Sequence, residues 1–309
     1  MSATRNGFTN QHKFPHCIMA LMFFILCAQI PLSAQSKSDI ANGLRAQKEG
    51  KYAQDFVPTK EEHPFALDPV GDTVITLGGV AFLGVDYLIE KRNEKKNNAP
   101  IFIGSPYDPD SITGIDSVFM NPYSKNLDIT GDVLQIATML TPAIVMLKAP
   151  KSDFLTIGMM YLESVLWAYS AKEFGKNIAN RIRPYMYYSG YPQSEVDSGD
   201  WHKSFPSGHT TLAFNAAAFT SYTFGTYFPD SKLKLPVIAA SYSLAAATAY
   251  MRMRSGNHFF TDVLTGAVIG TNTGLLVPIL HTYFAQLNKS GRGLTARILP
   301  NGLLLRYAY

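Results

Sequence analysis

The chain is almost free of cysteine. Of its 309 residues only Cys17 and Cys27 are cysteines, and both lie in an apolar stretch that we predict to be removed as part of a signal. Disulfides, thiolate metal sites and a cysteine nucleophile are therefore excluded from the mature chain. The lack of cysteine also suits a protein that is exported to an oxidising compartment.

Charge is scarce as well. Charged residues make up 16% of the chain, against about 25% in an ordinary soluble protein, and 47% of the residues are hydrophobic. This balance is typical of a membrane protein or of a very apolar helical core. The net charge of +4 is small and scattered, so we expect no nucleic-acid partner.

Residues 1–34 have the pattern of a secretory signal peptide. Arg5 and Lys13 form a basic start, residues 17–30 are apolar, and the small residues at 32–34 suit a cleavage site. The alternative is an uncleaved anchor helix, because the apolar run is close to the length that spans a bilayer. The signal predicts an exported protein of the cell envelope.

Three regions follow the signal. Residues 35–127 form a polar N-terminal region with one apolar run, Val74 to Ile89, and a long loop from Asn97 to Asn126. Residues 128–288 are predicted to form the catalytic domain. The tail, residues 289–309, alternates loosely between polar and apolar residues and is predicted to be a short strand or a docking tail.

The catalytic region is a series of apolar segments with prolines at or near their ends. We predict an all-α, membrane-associated bundle of about five to six helices from this pattern. Several segments are shorter than the roughly 20 residues that span a bilayer. Glu163 lies inside one of them and should face the bundle interior. The predicted segments are Val133–Leu147, Phe154–Ser170, Thr210–Phe228, Leu235–Met251 and Val263–Phe284.

The first of three informative blocks is Lys176-x6-Arg183-Pro184. On a helix, a spacing of seven places both cations on one face, about 10 Å apart, and Pro184 would end that helix. A guanidinium binds phosphate oxygens in pairs, and an ammonium adds a point charge. The alternative is a solvated basic face that includes Arg181.

The second block is Ser207-Gly208-His209, at the predicted start of a helix. Free N–H groups at a helix start bind anions, and Gly208 lets the backbone approach a ligand closely. Ser207 can add a hydroxyl donor, and His209 can give a proton to a leaving oxygen. The alternative is an ordinary helix cap at Ser207 beside an incidental histidine.

The third block is Arg252-x5-His258-x3-Asp262. His258 and Asp262 are four residues apart, so a helix would place them on one face. A carboxylate there can hold one imidazole nitrogen as N–H and leave the other free to attack. The alternative is a surface pair. Together the three blocks predict phosphate binding and transfer through a histidine.

We predict no metal and no cofactor, because no histidine–carboxylate cluster in the sequence has spare ligands. Two other histidines have separate interpretations. His202 is a possible substrate contact, and His281, on an apolar helix, is predicted to be a satisfied core residue. The aromatic residues 185–188 could line an apolar entrance, or lie at a bilayer interface.

The three blocks resemble the type 2 phosphatidic acid phosphatase (PAP2) superfamily, which also includes bacterial acid phosphatases and vanadium haloperoxidases. The resemblance covers residues 128–287. It implies that His258 is the nucleophile, that Asp262 orients it and that His209 protonates the leaving group. The residues that it implies for phosphate binding are Lys176, Arg183, Ser207, Gly208 and Arg252.

One departure from the family pattern is visible, because Met251 stands where the family has serine before the third-block arginine. Arg254 is an additional cation that could compete with Arg252, but the spacing favours Arg252.

The predicted function is a metal-independent phosphatase that hydrolyses a phosphate monoester or diphosphate of a membrane lipid through a phosphohistidine. Phosphatidic acid, phosphatidylglycerophosphate, an isoprenyl diphosphate and a lipid A phosphate all fit. A soluble periplasmic acid phosphatase, a vanadium haloperoxidase and a non-enzymatic envelope protein remain as alternatives.

The predicted topology contains a conflict. A cleaved signal leaves the chain outside, and a crossing at Val74 to Ile89 would then place the basic patch from Lys91 to Lys96, and the site, in the cytoplasm. Exported members of the family have the site outside. We predict that the Val74 to Ile89 run, which is short and contains Asp86, does not cross. The expected protein is a multi-pass inner-membrane protein with its site facing the periplasm.

Overall fold

The computed structural model describes residues 63–96, 100–289, 293–299 and 302–308. The predicted signal peptide, residues 1–34, and the polar stretch up to residue 62 lie outside the described residues.

The described chain is an α-helical bundle followed by a small β-hairpin, which confirms the predicted all-α class. Strands β1 (Gly293–Leu299) and β2 (Gly302–Ala308) of the hairpin are antiparallel and pair Gly293 with Ala308. The tail therefore has two strands where one short strand was predicted. The elements are α1 Pro69–Lys96, α2 Ile115–Val118, α3 Lys125–Met139, α4 Ala143–Met146, α5 Phe154–Ala179, α6 Gln193–Asp197, α7 Gly208–Tyr227, α8 Lys234–Arg254, α9 Phe260–Lys289, β1 Gly293–Leu299 and β2 Gly302–Ala308.

The long helices extend beyond their predicted segments. Helix α5 continues past Ser170 for nine more residues, to Ala179, and α3 begins at Lys125 rather than Val133. The predicted loop between residues 97 and 126 contains the short helix α2 and a 3₁₀ turn at Pro109–Ser111. The predicted segments were bounded by apolar runs. The helices continue through charged and polar residues at their ends, so they are longer than those runs.

Helix α1 is the largest difference from the sequence prediction. It has 28 residues, although its apolar run, Val74 to Ile89, was judged too short to cross a membrane. At about 1.5 Å per residue its length exceeds the roughly 30 Å of a hydrocarbon core. Asp86 does not prevent this, because it is buried and accepts a hydrogen bond of 2.8 Å from Asn177 Nδ2 on α5.

Within the described residues, three helical segments are long and apolar enough to span a membrane: Pro69–Lys96, Lys125–Met146 and Phe260–Leu287. Each presents many large apolar side chains outward, which is the surface that lipid would cover. The exposed residues on them include Val74, Leu77, Val80, Val85, Leu88, Ile129, Val133, Ile136, Leu264, Leu276 and Ile279.

Helices α1 and α5 run parallel. Thr76 Oγ1 donates to Glu163 Oε1 at 3.1 Å, and the Asp86–Asn177 contact lies further along both helices. The carboxyl ends of α1 and α5 therefore lie at the same end of the bundle.

Glu163 faces the bundle interior, as predicted. It bonds to His281 Nε2 at 2.8 Å, and His281 Nδ1 lies 2.9 Å from the carbonyl oxygen of Ala66. His281 is thus the satisfied core residue that was expected. Asp72 completes a cluster in which three ligand atoms lie within 4.8 Å of one another. No sequence pattern predicted this histidine–carboxylate cluster. Both ring nitrogens of His281 already have hydrogen-bond partners.

A stripe of glycines packs α9 against α7. A Cβ atom on Gly270 would lie 2.1 Å from the carbonyl oxygen of Thr211, and one on Gly274 would lie 2.3 Å from that of Asn215. The two backbones therefore approach as closely as the absence of side chains allows. This contact fixes the start of α7 beside the start of α9.

The glycine stripe gives a stability prediction. Gly270→Ala should destabilise the protein by about 1–3 kcal/mol, because the new methyl group meets backbone that cannot yield. Gly158→Ala, on α5, is the matched control, since a Cβ there has nothing within 4 Å. It should be neutral or slightly stabilising. Thermal unfolding in detergent measures both, and equal melting temperatures would contradict the packing argument.

Candidate active site

A cavity of about 410 Å³ opens at the end of the bundle where α5 and α8 end and α7 begins. The structure brings six of the predicted site residues to its wall: Lys176, Arg183, Gly208, His209, Arg252 and His258. Ser207 and Asp262, the other two, are fully buried behind the wall.

The first block is not one continuous helix. Helix α5 ends at Ala179, and Asn180 adopts a left-handed conformation with φ 43°. Arg183 follows in extended backbone, and Pro184 begins a 3₁₀ turn instead of ending the helix. The predicted two-turn helical relation between Lys176 and Arg183 is therefore wrong, but the loop still returns Arg183 to the same cavity.

The two cations of this block are buried. Arg183 is 4% exposed, its Nε donates to the carbonyl oxygen of Asp200 at 2.9 Å, and its guanidinium forms an ion pair with the Asp200 carboxylate. Burial, with Lys172 nearby, lowers the pKa of Lys176 to about 8. An anion in the cavity would stabilise both cations, so the cavity is suited to phosphate.

Lys172 is a site residue that the sequence analysis missed. It lies one helical turn before Lys176 and lines the same cavity. Its Nζ forms an ion pair with Glu173 and sits 3.7 Å from the centre of the Tyr169 ring. The spacing of four to Lys176 was the available signal, because it places both ammonium groups on one face of a helix.

Ser207 is the N-cap of helix α7. Its Oγ accepts from the backbone N–H of Thr210 at 3.4 Å and lies 2.9 Å from Thr210 Oγ1. The ordinary capping interpretation therefore describes its hydroxyl. Gly208, in contrast, lines the cavity, so the start of α7 and its free N–H groups lie at the cavity wall.

His209 lies at the cavity wall, with Nε2 2.8 Å from Asp132 Oδ1. Burial, and after it the charge of Arg252, lowers the pKa of His209 to about 2. The Asp132 carboxylate opposes this effect, but its side chain is half exposed and burial dominates. His209 is thus neutral in the free protein, and a bound phosphate would favour its protonated form by adding negative charge.

His258 precedes helix α9, which begins at Phe260, so it does not share a helix face with Asp262. Its Nδ1 lies 3.8 Å from Asp262 Oδ2, beyond hydrogen-bond distance, and 2.7 Å from the carbonyl oxygen of Ser204. The predicted direct bond is therefore wrong. A carbonyl oxygen can only accept, so Nδ1 carries the proton and Nε2 is left unprotonated.

The free Nε2 of His258 lies 3.4 Å from an amino nitrogen of Arg183 at the cavity. Burial, and then the charge of Arg183, lowers the pKa of His258 well below its ordinary value. The imidazole is therefore neutral and can act as a nucleophile.

Asp262 acts on His258 through its neighbours. Its Oδ2 accepts from Ser204 Oγ at 2.6 Å and from the backbone N–H of Phe259 at 2.9 Å. These two bonds fix the segments on both sides of the imidazole.

Arg252 is the cation that the third block contributes. It is 4% exposed and forms ion pairs with Asp128 and Asp132. Its Nε is buried and has no hydrogen-bond partner among the described residues, so a donor remains for a ligand. Arg254 is exposed and donates to Asn121 Oδ1 at 2.9 Å, away from the cavity. Of the two arginines, Arg252 is therefore the one that lines the cavity.

Four carboxylates of the cavity wall were also missed: Asp128, Asp132, Glu195 and Asp200. Three of them pair with cations of the site, as described above. The spacing of four between Asp128 and Asp132 could have placed both on one face of α3, but no local pattern points to Glu195 or Asp200.

Two predicted contacts do not reach the cavity. His202 does not line it, and its ring packs edge-on against Trp201 with 5.1 Å between the ring centroids. Tyr185 and Met186 are buried in the cluster around Trp201, and Tyr187 is buried against the rings of Tyr107 and Phe259. The aromatic loop therefore supports the site from behind and forms no entrance to this cavity.

The comparisons with known proteins agree with the blocks. Residues 157–286 match the family model of the PAP2 superfamily. A lipid A 4'-phosphatase of Porphyromonas gingivalis is 26% identical over 138 residues, which is 44% of this chain and 55% of that protein. A PA-phosphatase related-family protein of Dictyostelium discoideum is 34% identical over 91 residues, which is 28% of this chain and 32% of that protein.

Among solved structures, a transmembrane PAP2 type phosphatidylglycerolphosphate phosphatase from Bacillus subtilis is similar, with 19% identity and a TM-score of 0.37. The match covers 68% of this chain and 94% of that one. The chain spans about half and about a third of the lengths of the two curated relatives. The resemblance predicted from the three blocks is confirmed, since all of them lie within the segment that matches the PAP2 superfamily.

Proposed function

We propose that the protein is a membrane lipid phosphatase that transfers phosphate to His258 and then to water. One observation carries the proposal: the unprotonated Nε2 of a buried histidine faces a cavity that also contains His209, a helix start and four cations. Those donors suit the oxygens of a phosphate, because they provide positive charge and N–H groups at fixed positions.

The proposed reaction has two steps. His258 Nε2 attacks phosphorus, an N–P bond forms, and the P–O bond to the lipid alcohol breaks while His209, which is protonated when phosphate is bound, gives the alcohol its proton. A water molecule then attacks the phosphorus of the phosphohistidine while His209 takes a proton from that water. The N–P bond breaks and phosphate leaves.

The substrate is proposed to be a lipid phosphate of the membrane in which the three apolar helices lie. The lipid A 4'-phosphatase relative supports this class, and a phosphate on a lipid A sugar is one member of it. The other members are phosphatidic acid, phosphatidylglycerophosphate and an isoprenyl diphosphate. The cavity residues would contact the phosphate group that all of these substrates share, so they do not select among them.

A phosphate-release assay on protein purified in detergent tests the proposal. Lipid phosphates should be hydrolysed in the presence of EDTA, because the cavity provides the cations itself, and vanadate should inhibit by occupying the phosphate position. Loss of activity in EDTA that one divalent ion restores would contradict the mechanism.

The same preparation separates the alternatives. Bromination by the vanadate-loaded protein with peroxide, exceeding phosphate release, would indicate a haloperoxidase. Hydrolysis confined to soluble esters would indicate an acid phosphatase, and no turnover at all would indicate a non-enzymatic protein.

We propose that the site faces the periplasm. Because α1 and α5 run parallel, Asp68, just before α1, and the site lie at opposite ends of the bundle. If α1 crosses the membrane, a periplasmic site requires Asp68 to lie on the cytoplasmic side. A cleaved signal, with no crossing between it and α1, would instead place Asp68 on the periplasmic side. If α1 crosses, the cleaved signal and the periplasmic site therefore exclude each other.

Cysteine labelling decides the orientation. Ser189, exposed in the loop after α5, and Ser152, exposed just before α5, are separated by the full length of that helix. In a background without Cys17 and Cys27, Ser189→Cys should react with a membrane-impermeant thiol reagent in intact spheroplasts. Ser152→Cys should react only after lysis. The reverse result would place the site in the cytoplasm.

A further inference from the structure

We infer that Arg181 and Asp116 are positioning residues for His258, an inference that rests on the proposed function. Neither residue lines the cavity, and Asp116 lies outside the segment that matches the family. The two residues form the buried end of a hydrogen-bonded chain that leads to the imidazole.

Arg181 bridges two carboxylates. One amino nitrogen donates to Asp262 Oδ1 at 2.5 Å, and the other donates to Asp116 Oδ2 at 2.7 Å. The guanidinium also lies over the ring of Phe259, with 4.1 Å between its carbon and the ring centre. Far from being a solvated surface charge, Arg181 has a side chain that is 18% exposed.

Asp116 fixes both Arg181 and the start of helix α9. Its Oδ1 accepts from the backbone N–H of Thr261 at 3.0 Å, and its Oδ2 accepts from Thr261 Oγ1 at 2.7 Å. Asp116 itself is buried, on the short helix α2. The N-terminal region thus contributes a carboxylate that holds the guanidinium in place.

The link to His258 runs through Asp262 and Ser204. A fully buried carboxylate needs a cation to remain charged, and Arg181 is the cation that contacts Asp262. Charged Asp262 can accept from both Ser204 Oγ and the Phe259 N–H, whereas a protonated carboxyl would lose part of that capacity. The carbonyl oxygen of Arg181 also accepts from the N–H of Ser204 at 3.0 Å.

The consequence concerns the tautomer of His258. The carbonyl oxygen of Ser204 accepts the Nδ1 proton and so keeps Nε2 free for attack. If Arg181 no longer holds Asp262, then Ser204 loses its side-chain anchor and the imidazole can adopt the other tautomer. The rate of attack should fall, while the cations that bind phosphate remain in place.

Kinetics of four variants test the inference: Arg181→Gln, Arg181→Lys, Asp116→Asn and the control Arg254→Gln, which removes an exposed guanidinium at the same end of the bundle. Arg181→Gln should lower kcat about 100-fold and Asp116→Asn about 10-fold, as expected for groups that orient a reacting side chain. KM and the vanadate inhibition constant should change less than about threefold, because neither residue reaches the cavity. The control should match the wild type.

A double-mutant cycle distinguishes positioning from general destabilisation. In an Asp262→Asn background, Arg181→Gln should cost little further activity, because both changes break the same chain. Full additivity of the two losses, or an increase in KM with kcat unchanged, would overturn the inference. If Arg181→Gln does not fold, Arg181→Lys and Asp116→Asn decide, and both should lower kcat below that of the control.

A measurement without turnover separates this inference from the proposed function. Spectra of ¹⁵N-histidine-labelled protein, with the His258 signal identified by its loss in His258→Ala, should show one Nδ1–H tautomer in the wild type and in Arg254→Gln. Arg181→Gln should show a mixture. If the wild type releases no phosphate but the tautomer still changes, only the proposed function fails. If the wild type is active and the His258 tautomer is unchanged in Arg181→Gln, the positioning role is contradicted and the proposed function is not.

Discussion

His258→Ala is expected to lower phosphate release by at least about 10⁴-fold and to remove any acid-labile phosphoenzyme. The cations of the cavity would remain, so lipid phosphate and vanadate should still bind. The loss should therefore appear in kcat, and rapid-quench experiments with ³²P-labelled substrate should detect a phosphoenzyme in the wild type only.

The control for this prediction is His202→Ala. His202 lies two residues before Ser204, whose carbonyl oxygen contacts His258, but it does not line the cavity. Its variant should therefore retain turnover within a few-fold of the wild type. A phosphoenzyme in His258→Ala, or substantial residual turnover, would assign the nucleophile to another residue.

His209→Ala is expected to lower kcat about 10²- to 10⁴-fold for a lipid phosphate, because an alkyl alcohol leaves poorly without a proton. An aryl phosphate such as p-nitrophenyl phosphate, whose leaving group is stable as an anion, should lose much less in the first step. Comparing phosphoenzyme formation for the two substrates measures this difference.

Equal losses for both leaving groups would show that His209 binds phosphate rather than donating a proton. Asp132→Asn is a useful companion, because Asp132 contacts His209 Nε2 at 2.8 Å. It should alter the pH dependence of lipid phosphate hydrolysis without the large loss of kcat expected for His209→Ala.

The sequence was sufficient to predict three of the four cations of the site, but not Lys172 or the carboxylates of the cavity wall. Lys176, Arg183 and Arg252 all line one cavity. They could be predicted because cations, and a glycine at a helix start, have few roles in an apolar chain other than anion binding. The spacing also favoured Arg252 over Arg254, and Arg252 is the one that lines the cavity. The backbone between these residues was less predictable, since Asn180 ends helix α5 before Arg183.

The partner of the His258 imidazole could not be predicted. A spacing of four suggested a direct bond to Asp262, but helix α9 begins two residues after His258. The acceptor is the backbone carbonyl oxygen of Ser204, and every residue has such a group, so no side-chain pattern marks it. The role of Asp116 was hidden for a similar reason, because its contacts form only when distant segments pack together.

The carboxylates of the cavity wall have a consequence for release of the product. Asp200 and Asp132 form ion pairs with Arg183 and Arg252, the two guanidinium groups that phosphate would contact in the proposed function. The site therefore contains tethered competitors whose effective concentration is on the order of millimolar or more. Inorganic phosphate has to displace them, so it should bind weakly and leave quickly once the lipid alcohol has gone. A membrane enzyme arranged in this way would continue to turn over in a compartment rich in phosphate, where a site of bare cations would be saturated by its own product.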